Sequence, residues 1–312
     1  MFFGSSKLLG RGAVALVAAA VAVVLPAGDQ VAARTAPRVV ATTTVVADLV
    51  RQVAGDRVEI DCLMGPGVDP HSYRATPADA ERLARADIVV AAGLHLEGKL
   101  AAILERMART ARVVTLADAV PQTRLIEAGD GVPDPHIWFD ARLWSLCVPA
   151  VVEPLAAIDP AGRATFQKNA ADFVARLEKL DDTSRTRIAT IPAERRVMIT
   201  AHDAFRYFGR AYGLDVLGVQ GVSTESEAGL NDINRLVETV VARKLPAVFV
   251  ETSVAERNVR AIQEGARARG HEVAVGGALY SDSLGGPGSG AETLEAALAR
   301  NVETIVTGLG GR

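Results

Sequence analysis

The sequence predicts an α/β fold of two lobes, each with a roughly four-stranded parallel sheet flanked by helices, joined by one long rigid helix. Segments with strand and helix character alternate along the chain, which is typical of parallel sheets. The same alternation begins again at Arg195. Between the two halves, Phe166, Phe173 and Leu180 recur every seven residues and so form an apolar stripe on one helix.

The first lobe is expected to span residues 36–159. Its strands are apolar or β-branched runs, and its second helix begins at Thr76-Pro77-Ala78-Asp79, which has the residues of a capping box with a first-turn proline. The predicted strands are 38–45, 58–64, 88–92 and 113–116. The predicted helices are 46–53, 77–85, 95–110 and 140–158.

The connecting helix is predicted in residues 160–192, and the second lobe in residues 193–312. A break of the connecting helix near Asp181 is the alternative, but no Gly or Pro interrupts the chain there. A glycine-rich loop is expected before the last helix of the second lobe. The predicted strands of that lobe are 197–201, 216–222, 247–251 and 273–275. The predicted helices are 203–212, 231–243, 256–269 and 291–309.

The composition argues against several classes of partner. The chain has 312 residues, 49% of them hydrophobic and 23% charged, with a net charge of −3. Nothing in this balance indicates binding to nucleic acid or to an anionic membrane surface. Aromatic residues make up only 4%, which also argues against base stacking.

Residues 1–33 have the order of a secretory signal peptide. Lys7 and Arg11 precede an uncharged apolar run, 12–26, and small residues follow. An uncleaved membrane anchor is the alternative. Because no cysteine directly follows the apolar run, we expect no lipid attachment and a soluble periplasmic protein. The mature chain should begin between Ala27 and Thr35.

Cys62 and Cys147 are the two cysteines of the chain. Export permits a disulfide between them. However, Cys62 falls in a predicted strand and Cys147 in a predicted helix, which favours two buried free thiols.

Three of the five histidines are predicted to converge on one cleft. His71 lies in the loop 65–73 after a strand, and the same Asp-Pro-His tripeptide recurs at His136. His202 follows a strand of the second lobe directly. In open α/β sheets ligands collect at the carboxyl ends of strands. His95 and His271 are instead interpreted as structural or solvated.

A cleft with three imidazoles suits a divalent transition metal. Asp282, which follows the last strand, is the predicted fourth ligand, although an aspartate there could also serve a helix cap or turn. Glu225, Glu227 and Glu251 are alternative ligands, or acceptors that orient an imidazole.

Several motifs resemble the zinc/manganese-binding periplasmic solute-binding proteins of ABC importers, the ZnuA/TroA-like family of cluster A-I. The resemblance extends from about Val39 to the C-terminus. The motifs are Gly-Pro-Gly-Val-Asp-Pro-His-Ser-Tyr at 65–73, Ala-Gly-Leu-His-Leu-Glu at 92–97, Asp-Pro-His-Ile-Trp at 134–138, Thr-Ala-His-Asp-Ala-Phe-Arg-Tyr-Phe at 200–208, Gly-Val-Ser-Thr-Glu-Ser-Glu-Ala at 221–228 and Leu-Tyr-Ser-Asp-Ser-Leu-Gly at 279–285.

The resemblance implies that both lobes bind metal, with His71, His136, His202 and Asp282 as ligands. The transported ion would be Zn²⁺ or Mn²⁺, and the partner an ABC transporter membrane permease. Three nitrogens and one carboxylate favour zinc. Zinc-specialised relatives often carry a His-rich loop, whereas residues 119–133 contain no histidine.

We therefore expect a monomeric binding protein and not an enzyme. A zinc-dependent hydrolase is the first alternative, with one of the three glutamates as a base. A surface adhesin is the second. From the reference pKa of imidazole, metal affinity should fall steeply below roughly pH 6.

Overall fold

The computed structural model describes residues 1–2, 4, 36–109, 112–129 and 131–312. Apart from Met1, Phe2 and Gly4, the predicted signal peptide lies outside the described residues. Residues Ala36–Arg312 form one compact unit. Two lobes of alternating strands and helices are joined within it by a single long helix, so the predicted fold class is confirmed.

The first lobe is built on a four-stranded parallel sheet of order β2-β1-β3-β4. Its apolar strands are covered by helices, and its two buried clusters lie on the two sides of β1, where side chains alternate. The strands are β1 (Arg38–Thr43), β2 (Glu59–Met64), β3 (Ile88–Ala91) and β4 (Val113–Thr115). The helices are α1 (Thr44–Ala54), α2 (Pro77–Ala84), α3 (Ala101–Met107), α4 (Ala141–Trp144) and α5 (Val152–Ile158).

The second lobe pairs its strands in parallel as β5 with β6 and β7 with β8. Strand β5 lies beside β7, so the four strands occupy one layer as two hydrogen-bonded pairs. The strands are β5 (Val197–His202), β6 (Asp215–Gln220), β7 (Ala247–Glu251) and β8 (Ala274–Leu279). The helices are α7 (Arg206–Tyr212), α8 (Leu230–Arg243), α9 (Arg257–Ala268) and α10 (Leu294–Gly308).

The connecting segment is one helix, α6 (Arg163–Ile188), of 26 residues and therefore about 39 Å long. Its predicted apolar stripe packs into the core, with Phe166 and Phe173 fully buried. The alternative break near Asp181 does not occur. The carboxylate of Asp181 is itself buried and bonded to Arg142 of the first lobe at 2.6 Å, which stabilises a charge on the buried face.

Two predicted helices of the first lobe differ from those observed. The helix expected at 95–110 begins only at Ala101, because Leu94 and His95 adopt left-handed φ angles of 54° and 63° in a tight turn. The helix expected at 140–158 is interrupted by a 3₁₀ segment that contains Pro149. Proline has no N–H to donate to the preceding turn, so the α-helical ladder is broken there.

The stretch Ala141–Ile158 is apolar and long enough to cross a membrane by length and composition. More than half of it is buried inside the first lobe, so it serves as core.

The strand predicted at 273–275 is longer than expected and continues through two glycines to Leu279. A Cβ at Gly276 would lie 2.7 Å from the ring of Phe249 on the neighbouring strand, so glycine lets this ring pack against β8. The two cysteines are both free, as predicted, with Cys147 buried and Cys62 half-buried.

Candidate metal centre

His71, His136, His202 and Asp282 meet in one buried cluster. The ligand atoms that they offer all lie within 4.8 Å of one another. The first two belong to loops of the first lobe, and the other two to the second lobe, at the end of β5 and after β8. Parallel strands present their carboxyl ends at one edge of each sheet, and both edges face the same cleft. All four side chains are at most 3% exposed.

Four separations between polar atoms of this cluster fall between 3.2 and 3.7 Å. From the carboxylate of Asp282, the Nε2 atoms lie 3.7 Å away for His71, 3.4 Å for His136 and 3.2 Å for His202. The Nε2 atoms of His71 and His136 are 3.2 Å apart. Donor atoms around a tetrahedral ion with bonds of 2.0–2.1 Å would lie about 3.3 Å apart. The three rings and the carboxylate thus point at a volume suited to one such ion.

The carboxylate of Asp282 has an unusual environment for a buried charge. Neither of its oxygens accepts a hydrogen bond of good geometry from the described residues. A buried carboxylate without donors is costly unless cations approach it. Its pKa is held well below the ordinary value, because the neighbouring His202 and His136 outweigh the effect of burial. The site therefore retains a negative charge that faces three imidazoles.

His136 is oriented by Asp134, the first residue of its Asp-Pro-His turn. Asp134 Oδ1 accepts from the main-chain nitrogen of His136 at 2.9 Å and lies 2.8 Å from Nδ1 of the ring. Nδ1–H then donates to this oxygen, so the lone pair of Nε2 faces the cluster. In the loop of His71, Asp69 Oδ1 accepts from the main-chain nitrogen of His71 in the same way, at 2.9 Å.

His202 is oriented by Glu251, which ends the adjacent strand β7. Glu251 Oε1 accepts from the main-chain nitrogen of His202 at 2.9 Å, and Oε2 approaches Nδ1 to 2.6 Å. Of the three alternative glutamates, Glu251 alone contacts a residue of the cluster. It contacts Nδ1 of His202, whereas Nε2 of the same ring faces Asp282. Glu225 and Glu227 are exposed and form ion pairs with surface residues of positive charge.

Burial and charge move the pKa values of the three rings in different directions. Burial lowers the pKa of His71 to about 4. Burial also acts on His136, but the carboxylates of Asp134 and Asp282 outweigh it and raise its pKa to about 9. The pKa of His202 is raised well above 6.5, because Glu251 and Asp282 outweigh burial in the same way. The neighbouring carboxylates therefore favour the protonated form of His136 and of His202, whereas burial favours the neutral form of His71.

The remaining histidines lie elsewhere, as predicted. His95 is exposed in its left-handed turn. The Nε2–H of His271 donates to the carbonyl oxygen of Leu245 at 2.8 Å. The orienting role of Asp134 was not predicted from the sequence, although its position two residues before a histidine, as at Asp69, was a usable signal.

Comparisons with known proteins show which proteins this chain is similar to. A family model described as "ZnuA: Zinc-uptake complex component A periplasmic" matches residues 39–308. The chain is 42% identical over 273 residues to "Manganese-binding lipoprotein MntA" of Bacillus subtilis (strain 168), covering 87% of this chain and 89% of the relative. It is also 42% identical over 273 residues to "Zinc-binding protein TroA" of Treponema pallidum (strain Nichols), covering 88% and 89%.

A solved structure described as a periplasmic zinc binding protein TroA from Treponema pallidum has a similar fold. It superposes with a TM-score of 0.86 at 42% sequence identity, covering 89% of this chain and 100% of that chain. The match extends over both lobes and the helix between them. The likeness therefore includes every element that carries a residue of the four-residue cluster.

Proposed function

We propose that this chain, which belongs to the family of zinc-uptake complex component A proteins, captures one divalent transition-metal ion in the cleft between its lobes. Proteins of this family are metal-binding components of ABC transporters and not enzymes. It would deliver the ion to a membrane permease for uptake. The ligands would be Nε2 of His71, His136 and His202 together with the carboxylate of Asp282.

The observation that supports these ligands is the spacing of their four buried atoms. Distances of 3.2–3.7 Å from the Asp282 carboxylate to the three nitrogens suit bonds to a single ion. We propose Zn²⁺ as the physiological ion, because three imidazoles and one carboxylate suit zinc better than manganese. Mn²⁺ is the alternative, since a relative that is 42% identical is named as manganese-binding.

Calorimetric titration of the chelator-treated protein tests this assignment. One Zn²⁺ should bind per chain, and Zn²⁺ should displace Mn²⁺ in competition. His202→Ala should weaken Zn²⁺ binding by orders of magnitude, because it removes a ligand of the second lobe. His95→Ala is the matched control, since His95 is exposed and outside the cluster. Tight binding of Zn²⁺ by His202→Ala, or a stoichiometry of two, would contradict the proposed site.

The two alternatives considered from the sequence are not supported. A catalytic zinc site keeps three protein ligands and one open position, whereas four protein atoms here would close the shell. Glu225 and Glu227, two of the candidate bases, are engaged in surface ion pairs. The family is a transport component, which supports neither a hydrolase nor an adhesin.

We further propose that the chain is exported by a signal peptide in residues 1–33 and acts in the periplasm as a monomer without a lipid anchor. Its lobes would comprise residues 36–159 and 193–312, with the connecting segment in 160–192, and it would bind no nucleic acid. Mass spectrometry of the exported protein should give a first residue between Ala27 and Thr35. Light scattering should give the mass of a single chain, and a dimer would require revision.

A further inference from the structure

The two Asp-Pro-His turns of the first lobe each receive one hydroxyl group from the second lobe. Thr224 Oγ1 donates to Asp69 Oδ2 at 2.6 Å. Tyr207 donates its hydroxyl hydrogen to the carbonyl oxygen of Asp134 at 2.9 Å. Each bond ends on the aspartate two residues before a proposed ligand. Contact between the lobes is therefore coupled to the position of both ligands that the first lobe contributes.

At the first turn, the carboxylate of Asp69 joins the crossing bond to the ligand. Its Oδ1 accepts from the main-chain nitrogen of His71, and its Oδ2 accepts from both Thr224 and Ser72, the latter at 2.9 Å. Because a carboxylate is planar and rigid, a change at Oδ2 reorients Oδ1 as well. Thr224 thus acts on the main chain of His71 through a single side chain.

The other side of the His71 loop is held by the segment that contains Gly98 and Lys99. A Cβ at Gly98 would overlap the carbonyl oxygen of His71, so this backbone packs directly on the proposed ligand residue. Lys99 pairs with Glu225, the residue after Thr224, at 3.7 Å. This ion pair is exposed and contributes little by itself. Loop 221–229 of the second lobe therefore contacts both the turn of His71 and the segment that packs against it.

The hydrogen bonds of Tyr207 and Thr224 differ in burial, and this difference determines which of the two bonds can break. Tyr207 is fully buried, and its oxygen also accepts from the main-chain nitrogen of Ile126 at 3.0 Å. Breaking its bonds would leave buried polar groups without partners. Thr224 is half-buried between exposed residues, so water can replace its bond when the loop moves away.

We propose that Thr224 is a positioning residue that slows metal release by holding His71 through Asp69, while the buried Tyr207 contact persists in both the loaded and the empty protein. This inference rests on the proposed function, because it assigns a role toward the same metal ion. Loss of the Thr224 bond frees the turn of His71, and the ion can then leave from the first lobe.

Dissociation of Co²⁺ measures this role, because the visible absorption of bound Co²⁺ reports its coordination. Co²⁺-loaded protein is mixed with excess EDTA, and the rate of loss is extrapolated to zero EDTA. Thr224→Val should dissociate about tenfold faster than the wild type, since a hydrogen bond to a charged group is lost. The association rate should change little, and Thr224→Ser should restore slow release because it keeps the hydroxyl.

Thr239→Val is the matched control in the same lobe. The hydroxyl of Thr239 donates to the carbonyl oxygen of Arg235 within α8 and away from the cluster. Co²⁺ should therefore dissociate from Thr239→Val at the same rate as from the wild type. Tyr207→Phe should instead lower the melting temperature of the metal-free protein. Ser72→Ala removes a bond to the same Asp69 oxygen from within the loop and should have a smaller effect on release than Thr224→Val.

The outcomes separate this inference from the proposed function. An unchanged dissociation rate in Thr224→Val with a normal Co²⁺ spectrum would overturn the role of Thr224 and leave the metal site intact. The same follows if Thr239→Val accelerates release equally, or if Thr224→Ser fails to restore it. Absence of a Co²⁺ spectrum in the wild type would instead overturn the proposed function.

Discussion

Binding of Zn²⁺ at pH 7.5 is expected to release about two protons per ion. The pKa of His136 is raised to about 9 and that of His202 is raised well above 6.5, so we expect both rings to hold protons in the metal-free protein at this pH. The pKa of His71 is about 4 and that of Asp282 well below 3.8, so neither has a proton to lose. Since imidazole binds metal only when it is neutral, about two protons leave as the ion enters.

The sign of the pH dependence follows from these directions. Protons compete with the metal for a histidine at all pH values below the pKa of its ring. Because the pKa of His136 is raised, the apparent affinity for the metal should increase with pH toward about 9. In the range where both rings are protonated, the slope should approach about two decades per pH unit. From the reference pKa alone, affinity would fall only below roughly pH 6. The carboxylates of Asp134, Glu251 and Asp282 cause the difference.

Titration calorimetry at a fixed pH in buffers of different ionisation enthalpy counts the protons directly. The observed enthalpy should vary linearly with the ionisation enthalpy, with a slope that corresponds to about two protons. Asp134→Asn should reduce the number toward one, because it removes the main charge that raises the pKa of His136. A slope near zero for the wild type at pH 7.5, with constant affinity between pH 6 and 8, would refute this reasoning.

Three further predictions concern stability and ligand support. Zn²⁺ at a thousandfold excess over its Kd should raise the free energy of unfolding by about 4 kcal/mol, measured by calorimetric melting. If His202→Ala gained the same stabilisation from Zn²⁺, His202 would not be a ligand. Glu251→Gln should weaken Zn²⁺ affinity by about 10- to 100-fold in chelator competition, because it loosens the orientation of His202, and unchanged affinity would argue against this support. Phe173→Ala, at a fully buried position of α6, should lower the free energy of unfolding of the metal-free protein by about 3–5 kcal/mol, measured in urea. A decrease of less than about 1 kcal/mol would mean that the apolar stripe of α6 does not pack in the core.

Local patterns in the sequence determined much of the fold and of the site. The alternation of strand and helix signals predicts parallel sheets, and the stripe from Phe166 to Leu180 predicts an uninterrupted α6, because both depend on residues near one another in the chain. Three histidines were placed at one cleft for the same reason. Each lies in a loop or at a strand end that local turn and strand signals identify.

The resemblance to a family implied Asp282, but only the tertiary structure separated the positions of the candidate carboxylates. Asp282 offers its oxygens to all three rings, whereas Glu251 is turned toward Nδ1 of His202 and Glu225 lies at the surface. In the sequence, each of these acids simply follows or ends a strand. Their roles depend on the adjacency of β5 and β7 and on the packing of loop 221–229 against the first lobe. Contacts between segments so distant in the chain leave no local pattern, because they are set by how the two lobes pack around α6.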